Sequence, residues 1–324
     1  MTWMELSLDT TQEAVDWVCT LLSETSAIED VQIVDYLDPN PPALAGQLQA
    51  QPEWAFTLLI YLPHDRSTPS QIAAIADRLS PLHRTGQASE LYTRTLEVKP
   101  ALAEVLDRQH QRIGKRFVLL TANAPSQALT IEAIPLQLTP SFAFGSGLHP
   151  ATRLSLQLLE RYTVPGMNTL DLGSGSGILS VALAKLGAQV LALDNDRVAV
   201  EATQSAAQLN GVTSQVTVLQ GSLGEGSVLG HWLGGTIVGE VAAIPTMGQF
   251  DLIVANILAR VHVALAPDFR QALQAGSDQP GILIASGFTT DHESQVVDAL
   301  VAAGLVAIDR EQQDDWVALA YRTA

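Results

Sequence analysis

Apolar residues recur along the chain in two different rhythms. Toward the N-terminus, Trp3 to Leu8 alternates apolar and polar side chains as a half-buried strand does, and Gln12 to Leu22 follows with helical spacing. Ile28 to Leu37 then reads as strand. After a turn rich in proline (Pro39, Pro41, Pro42) the series returns. Trp54 to Leu62 predicts a strand, Pro69 to Leu82 a helix with Ser67 or Thr68 as its cap, and Leu91 to Val98 another strand. Strand–helix–strand twice over predicts a small ferredoxin-like α+β domain over residues 1–99, a scaffold that names no chemistry by itself. Ala101 to Gln111 has helical spacing with Glu104, Asp107 and Arg108 on polar positions, and predicts a linker helix within residues 100–118.

From Arg116 the rhythm changes. Short, continuously apolar runs of the kind buried in parallel sheets occur at Thr169–Leu172, Val190–Leu193, Val216–Leu219, Phe250–Ala255 and Ile282–Ala285. Between them lie helical patterns at Ile178–Lys185, Arg197–Asn210, Ala259–Ala275 and His292–Ala303. This alternation predicts a doubly wound α/β domain over residues 119–324. Val306–Asp309 and Trp316–Tyr321, joined by a short polar turn, read as a closing hairpin, an unusual feature for a nicotinamide dehydrogenase. Ser222 to Gln249 is glycine-rich and weakly patterned, and reads as an inserted loop.

Composition narrows the partners. The 324 residues suggest two or three domains, and a 47% hydrophobic fraction with mean hydropathy +0.19 excludes a disordered chain. With 17 basic and 34 acidic side chains the net charge is −17, so direct nucleic-acid binding is not expected, and a basic macromolecule would be attracted instead. The single cysteine, Cys19, excludes a disulfide framework and a multi-thiolate zinc site, and fits plain helix packing. The N-terminal residues show no signal-peptide pattern. The longest apolar region, Gly177 to Leu193, is interrupted by Lys185 and Gln189 and falls short of the ~20 residues a membrane span needs. A soluble, cytoplasmic monomer is expected.

Four runs carry candidate chemistry. In Leu170-Asp171-Leu172-Gly173-Ser174-Gly175-Ser176-Gly177-Ile178 a buried strand passes through a glycine turn into a helix. Glycine lets the backbone turn sharply and approach a ligand. A dinucleotide fingerprint would need its third glycine at position 178, which is Ile; the spacing found suits a nucleoside without a pyrophosphate. Asp171 can bind an ammonium or cap the donors of the loop. At the end of the next strand, Asp194 stands where an acid can accept both ribose hydroxyls. The alternative is a helix cap from Asp194, Asn195 or Asp196, and both can hold, with Asp194 for ribose and Asp196 as cap.

The third run, Phe250 to Leu258, delivers Asn256 to the ligand crevice at a strand end, where its amide can orient an amine without carrying charge; its competing role is a helix N-cap. The fourth, Ser141 to Thr152, carries Phe142, Phe144 and His149 in a glycine-rich turn. Such aromatics can cover a cationic ligand, and His149 can be a base or a structural residue. No paired metal-ligand spacing, nucleophile elbow or Walker lysine occurs, so no metal is expected.

Together these runs resemble the seven-stranded S-adenosylmethionine-dependent methyltransferases. Ala143-Phe144-Gly145-Ser146-Gly147-Leu148-His149-Pro150-Ala151-Thr152, followed by Asp171 to Leu179 and Ala255-Asn256-Ile257-Leu258, resembles the ribosomal protein L eleven methyltransferase family. The resemblance implies a Rossmann-like sheet and a substrate-holding N-terminal domain, with S-adenosylmethionine as cofactor. It also implies methylation of amino groups (lysine side chains, the N-terminal amine, or both) on a basic large-subunit ribosomal protein. Cofactor positions carried over are Thr152, Gly173, Asp194 and Asn256. Asp171, Gly175, Gly177, Phe144 and Ser222 complete the expected set, with Asn256 and His149 as the candidates for catalysis. The chain departs from the family's usual threonines at Ser146 and Leu148 and carries a longer 222–249 segment. Ile257-Leu258-Ala259 lacks the Pro-Pro-aromatic favoured by glutamine and adenine methyltransferases. The alternatives are methylation of another amine-bearing substrate, or a cofactor-binding module without catalysis.

Overall fold

The computed structural model describes residues 2–23, 31–36, 54–99, 111–121, 132–138, 147–224, 243–244, 247–274 and 280–324. The chain divides into two compact units, Met1–Gln109 with Pro140–His149, and His110–Thr139 with Pro150–Ala324.

In the first unit, strands β1 (Trp3–Thr10), β2 (Val31–Asp35), β3 (Phe56–Pro63) and β4 (Tyr92–Leu96) form one antiparallel sheet in the order β2-β3-β1-β4. Helices Val15–Ser23 and Thr68–Arg84 follow β1 and β3, so the described elements run β-α-β-β-α-β. The alternation seen in the sequence sets the inner face: Leu6 and Leu8 of β1 and Leu58, Ile60 and Leu62 of β3 are fully buried, as are Val18, Leu22 and Ile75 of the two helices. The capping expectation needs correction. Ser67 occupies the N-cap position of the second helix without a capping bond, and the Asp65 carboxylate instead accepts from the Ser67 amide (2.7 Å) and hydroxyl (2.6 Å). These two bonds, with a weaker one from Thr68, hold the Asp65 carboxyl below its ordinary range. The proline turn and most of the linker-helix stretch lie outside the described residues; Gln111, at its end, begins a strand.

The second unit is built on a seven-stranded sheet. Its strands are β8 (Asn168–Leu172), β9 (Gln189–Asp194), β10 (Val216–Gln220), β13 (Leu252–Asn256), β14 (Ile282–Thr289), β15 (Leu305–Gln313) and β16 (Trp316–Thr323), in the order β10-β9-β8-β13-β14-β16-β15. The first five are parallel; β16 pairs antiparallel with both β14 and β15, so the predicted hairpin does close the sheet. Strand β13 shows why the apolar runs are continuous. Leu252 and Val254 face one core with helices Pro150–Tyr162, Ile178–Lys185 and Arg197–Leu209, while Ile253 and Ala255 face another with helices Ala259–Ala272 and Thr290–Ala302. Period-two alternation therefore buries both faces.

Three features went unread in the sequence. Helix Pro150–Tyr162 begins with proline at its first position, where the missing N–H costs nothing, and buries Leu154, Leu158 and Leu159. Strands β5 (Gln111–Ile113), β6 (Phe117–Thr121) and β7 (Ile134–Leu138) form a separate small sheet. The 222–249 segment is not wholly loop: β11 (Ser222–Leu223) pairs with β12 (Ala243–Ile244).

Candidate active site

The glycine turn between β8 and helix Ile178–Lys185 is held by its own backbone. The amides of Gly173 and Ser174 both donate to the Leu193 carbonyl, at 2.8 and 3.1 Å, and the Gly175 amide donates to Asp194 Oδ2 at 2.9 Å. Two of the three glycines answer to internal packing. A Cβ on Gly173 would stand 2.6 Å from Ile257 Cγ2, and one on Gly177, where φ is +82°, would stand 2.8 Å from the Thr203 Cα. Gly177 thus admits helix Arg197–Leu209 against the turn, while the Gly175 amide fixes the Asp194 carboxylate at the end of β9. Asp194 Oδ1 also accepts from the Asp196 amide at 3.0 Å. Asp196 itself caps helix Arg197–Leu209 through the Val198 amide at 2.9 Å, so the capping role belongs to Asp196.

Asp171 is fully buried one residue before the end of β8. Its Oδ2 accepts from Ser180 Oγ at 2.5 Å, and its Oδ1 has no hydrogen-bond partner among the described residues. Burial pushes this carboxyl up to about 7; the Ser180 bond opposes the rise and the neighbouring Asp194 charge adds to it. The amides of Gly173, Ser174 and Gly175 go to Leu193 and Asp194 and that of Gly177 to the Ser174 carbonyl, so Asp171, bonded to Ser180, does not cap the loop.

At the next strand end, Asn256 is buried on β13. Its Nδ2 donates to Thr152 Oγ1 at 3.2 Å, and its Oδ1 accepts from Ser286 Oγ at 3.2 Å. The structure therefore brings Thr152, in the first turn of helix Pro150–Tyr162, onto Asn256 across 104 positions of sequence. The helix-cap alternative for Asn256 does not hold: Leu258 is the N-cap of the following helix, with no side-chain capping bond. Ser286 was not anticipated. Its signal was a serine and a glycine, Ser286-Gly287, inside an otherwise apolar strand beside the Asn256 strand.

Ser222 opens β11, separated from the end of β10 by Gly221, and is buried with its hydroxyl donating to Leu223 O at 3.3 Å; the intervening Gly221 amide donates to Asp194 O at 2.9 Å. His149 is fully buried at the end of the first unit's second segment, and burial lowers its imidazole to about 4, so the ring is neutral at neutral pH. Phe142 and Phe144 lie outside the described residues. Among the described residues no group of three or more His, Cys, Asp or Glu side chains could hold a metal ion.

A family model, Ribosomal protein L11 methyltransferase (PrmA), matches residues 2–324. The chain belongs to this family. A relative named ribosomal protein L11 methyltransferase from Chloroflexus aurantiacus is 39% identical over 333 residues, covering 99% of this chain and 98% of the relative. Another of that name from Herpetosiphon aurantiacus is 38% identical, covering 99% of both chains. The crystal structure of ribosomal protein L11 methylase from Lactobacillus delbrueckii subsp. bulgaricus superposes with a TM-score of 0.54 at 27% identity, covering 67% of this chain and 100% of that one.

Membership in the L11 methyltransferase family implies S-adenosyl-L-methionine as methyl donor, and the residues present fit it. No basic residue lies between Arg161 and Lys185, and the amides of Gly173, Ser174 and Gly175 are spent on Leu193 and Asp194 rather than left for an anion. The glycine turn offers instead two carboxylates, Asp171 and Asp194, whose charges oppose one another, with Asp171 Oδ1 unpartnered among the described residues. A cationic ligand beside them would relieve that opposition.

Proposed function

We infer that this enzyme transfers methyl groups from S-adenosylmethionine to amino groups of ribosomal protein L11, and that Asp194, Asp171 and the Gly173–Gly177 turn hold the donor. Asp194 would take the ribose hydroxyls; Asn256 and Thr152 would line the reacting end. The single observation that carries this reading is the junction of Asn256 with Thr152 at the end of β13, one strand from the glycine turn at the end of β8. Ligands of open α/β sheets bind at the carboxyl ends of such strands.

When bound, the donor supplies an electrophilic methyl on a sulfonium. The protein must bring a neutral amine to it. A lysine of pKa ~10.4 is neutral in roughly one molecule in 2,500 at pH 7, and an α-amine near ~7.8 in roughly one in seven. His149, held near 4 by burial, is far too weak a base to close that gap: lifting a proton from lysine would cost about 9 kcal/mol at ~1.4 per unit. Positioning and desolvation carry the reaction, with the Asn256 carboxamide orienting the amine. The acidic N-terminal domain, read as ferredoxin-like and substrate-holding, works in a chain of net charge −17. Such a charge draws in a basic ribosomal protein in the cytoplasm and loses its pull as salt rises.

Radiolabelled methyl transfer to a mixture of purified ribosomal proteins tests this. Label confined to L11 supports the reading. Label on another component points to a different amine substrate. Absence of label despite measurable cofactor binding would leave a binding module.

A further inference from the structure

Asn256 does not hold its orientation alone. Ser286 Oγ donates to Asn256 Oδ1 at 3.2 Å and stands 2.5 Å from Ser155 Oγ. All three side chains are buried, with Ser155 and Ser286 fully closed to solvent. A hydroxyl has one proton. The Ser155 hydroxyl donates to the Ala151 carbonyl at 2.8 Å, and in its short contact with Ser286 Oγ either hydroxyl can be the donor. Ser155, Ser286, Asn256 and Thr152 thus form a contiguous polar chain that joins helix Pro150–Tyr162 to two strand ends.

The backbone under Ser286 is clamped as well. Its carbonyl accepts from the Ile257 amide at 3.0 Å and from His262 Nε2 at 2.9 Å. The acceptor is a carbonyl, so His262 must carry its proton on Nε2. The ring is fully buried, edge-on to Phe288 at 5.3 Å between centroids. Gly287 follows at φ +92°, where a Cβ would stand 2.5 Å from Ile257 O, and β14 is irregular there. Only glycine lets β14 press its backbone against Asn256–Ile257 so that the Ser286 hydroxyl meets the carboxamide.

We propose that Ser286, backed by Ser155, is a positioning residue for methyl transfer that fixes the plane of the Asn256 carboxamide at the reacting end of the site. It rests on the reading of Asn256 as the group that orients the amine. Buried polar chains of this kind act as a unit, so removing one member shows only while the next is present.

The test is a double-mutant cycle on the full chain with ribosomal protein L11, joined to the Asn256 side-chain amide resonance in ¹⁵N-labelled protein. Ser286→Ala is expected to lower kcat about tenfold, leave the S-adenosylmethionine Kd within threefold, and shift the Asn256 amide resonance. Ser155→Ala, a milder cut, is expected to lower kcat about threefold. In an Asn256→Ala background, Ser286→Ala should cost nothing further. The proposal is overturned if Ser286→Ala keeps kcat within twofold while Asn256→Ala loses it, if its full loss persists without Asn256, or if the amide resonance stays put. If Asn256→Ala retains kcat while Ser286→Ala still shifts the resonance, the reading of Asn256 fails and the positioning of its amide by Ser286 stands.

Discussion

The two strand ends of the proposed site are built on opposite principles. At the end of β8, backbone does the work: the amides of Gly173, Ser174 and Gly175 are tied to Leu193 and Asp194, and a side chain at 173 or 177 would collide with Ile257 or Thr203. At the end of β13, side chains do it: Thr152, Asn256, Ser286 and Ser155 come from a helix and two strands to share hydrogen bonds. A backbone site tolerates almost no change at its glycines, because the cost is steric. A side-chain site can lose members and keep its fold, because each alanine leaves the main chain in place. The first end should therefore fail as binding and stability together, the second as turnover alone.

The largest effect should come from forcing a side chain into the glycine turn. Gly177→Val adds a β-branched residue at φ +82° against the Thr203 backbone. We expect a loss of about 2–5 kcal/mol in denaturant unfolding, from the left-handed backbone and the overpacking combined, with cofactor binding lost by calorimetry. Near-wild-type stability would erase the distinction between the two ends.

Asp171 sharpens the comparison through pH. Its carboxyl, raised to about 7 in the folded chain against an ordinary value of 3.8, binds its proton more tightly folded than unfolded. The stability of the neutral acid is thus fully present below about pH 4 and is lost as pH rises through 7. Asp171→Asn, which cannot ionise, should gain stability over wild type as pH climbs from 5 to 8, by about 3 kcal/mol at ~1.4 per unit up to the folded value near 7. Thermal melts of both proteins across that range check it, and a pH-independent difference would refute it. Cofactor affinity should fall in the same variant, as the turn end loses a negative charge.

The smallest effect is expected at His149. With the ring buried and its imidazole held near 4, His149→Gln should leave the pH dependence of kcat unchanged and kcat within about threefold. A selective loss of the neutral-pH limb would restore it as a base.

This contrast also explains what could be read from the chain. The backbone end was legible because glycine at 173, 175 and 177 is a local requirement, written at one strand–helix junction with Asp194 some twenty residues on. The parallel strands were legible for a similar reason, since burial of both faces makes Leu252–Ala255 of β13 and Ile282–Ala285 of β14 continuously apolar. The reading of Gly177 as a ligand contact was incomplete, for the close neighbour is Thr203. At the other end Asn256 was read from its place at a strand end and Thr152 from resemblance, and Ser155 and Ser286 from neither source. A serine in a helix or strand has no spacing that announces its partner; the bond between Ser155 and Ser286 spans 131 positions and exists only once the sheet has formed. Helix Pro150–Tyr162 stayed hidden behind the glycine-rich run that precedes it, although Leu154, Leu158 and Leu159 carry its period.

The measurement that bears most directly on this division is single-turnover methyl transfer to ribosomal protein L11 by Asn256→Ala saturated with S-adenosylmethionine. If the β8 end binds and the β13 end positions, the variant fills with cofactor at a Kd within about tenfold of wild type. It then transfers the methyl about a hundredfold more slowly, in line with losing a polar group that acts in the transition state. Transfer at the wild-type rate from the filled variant would contradict the account.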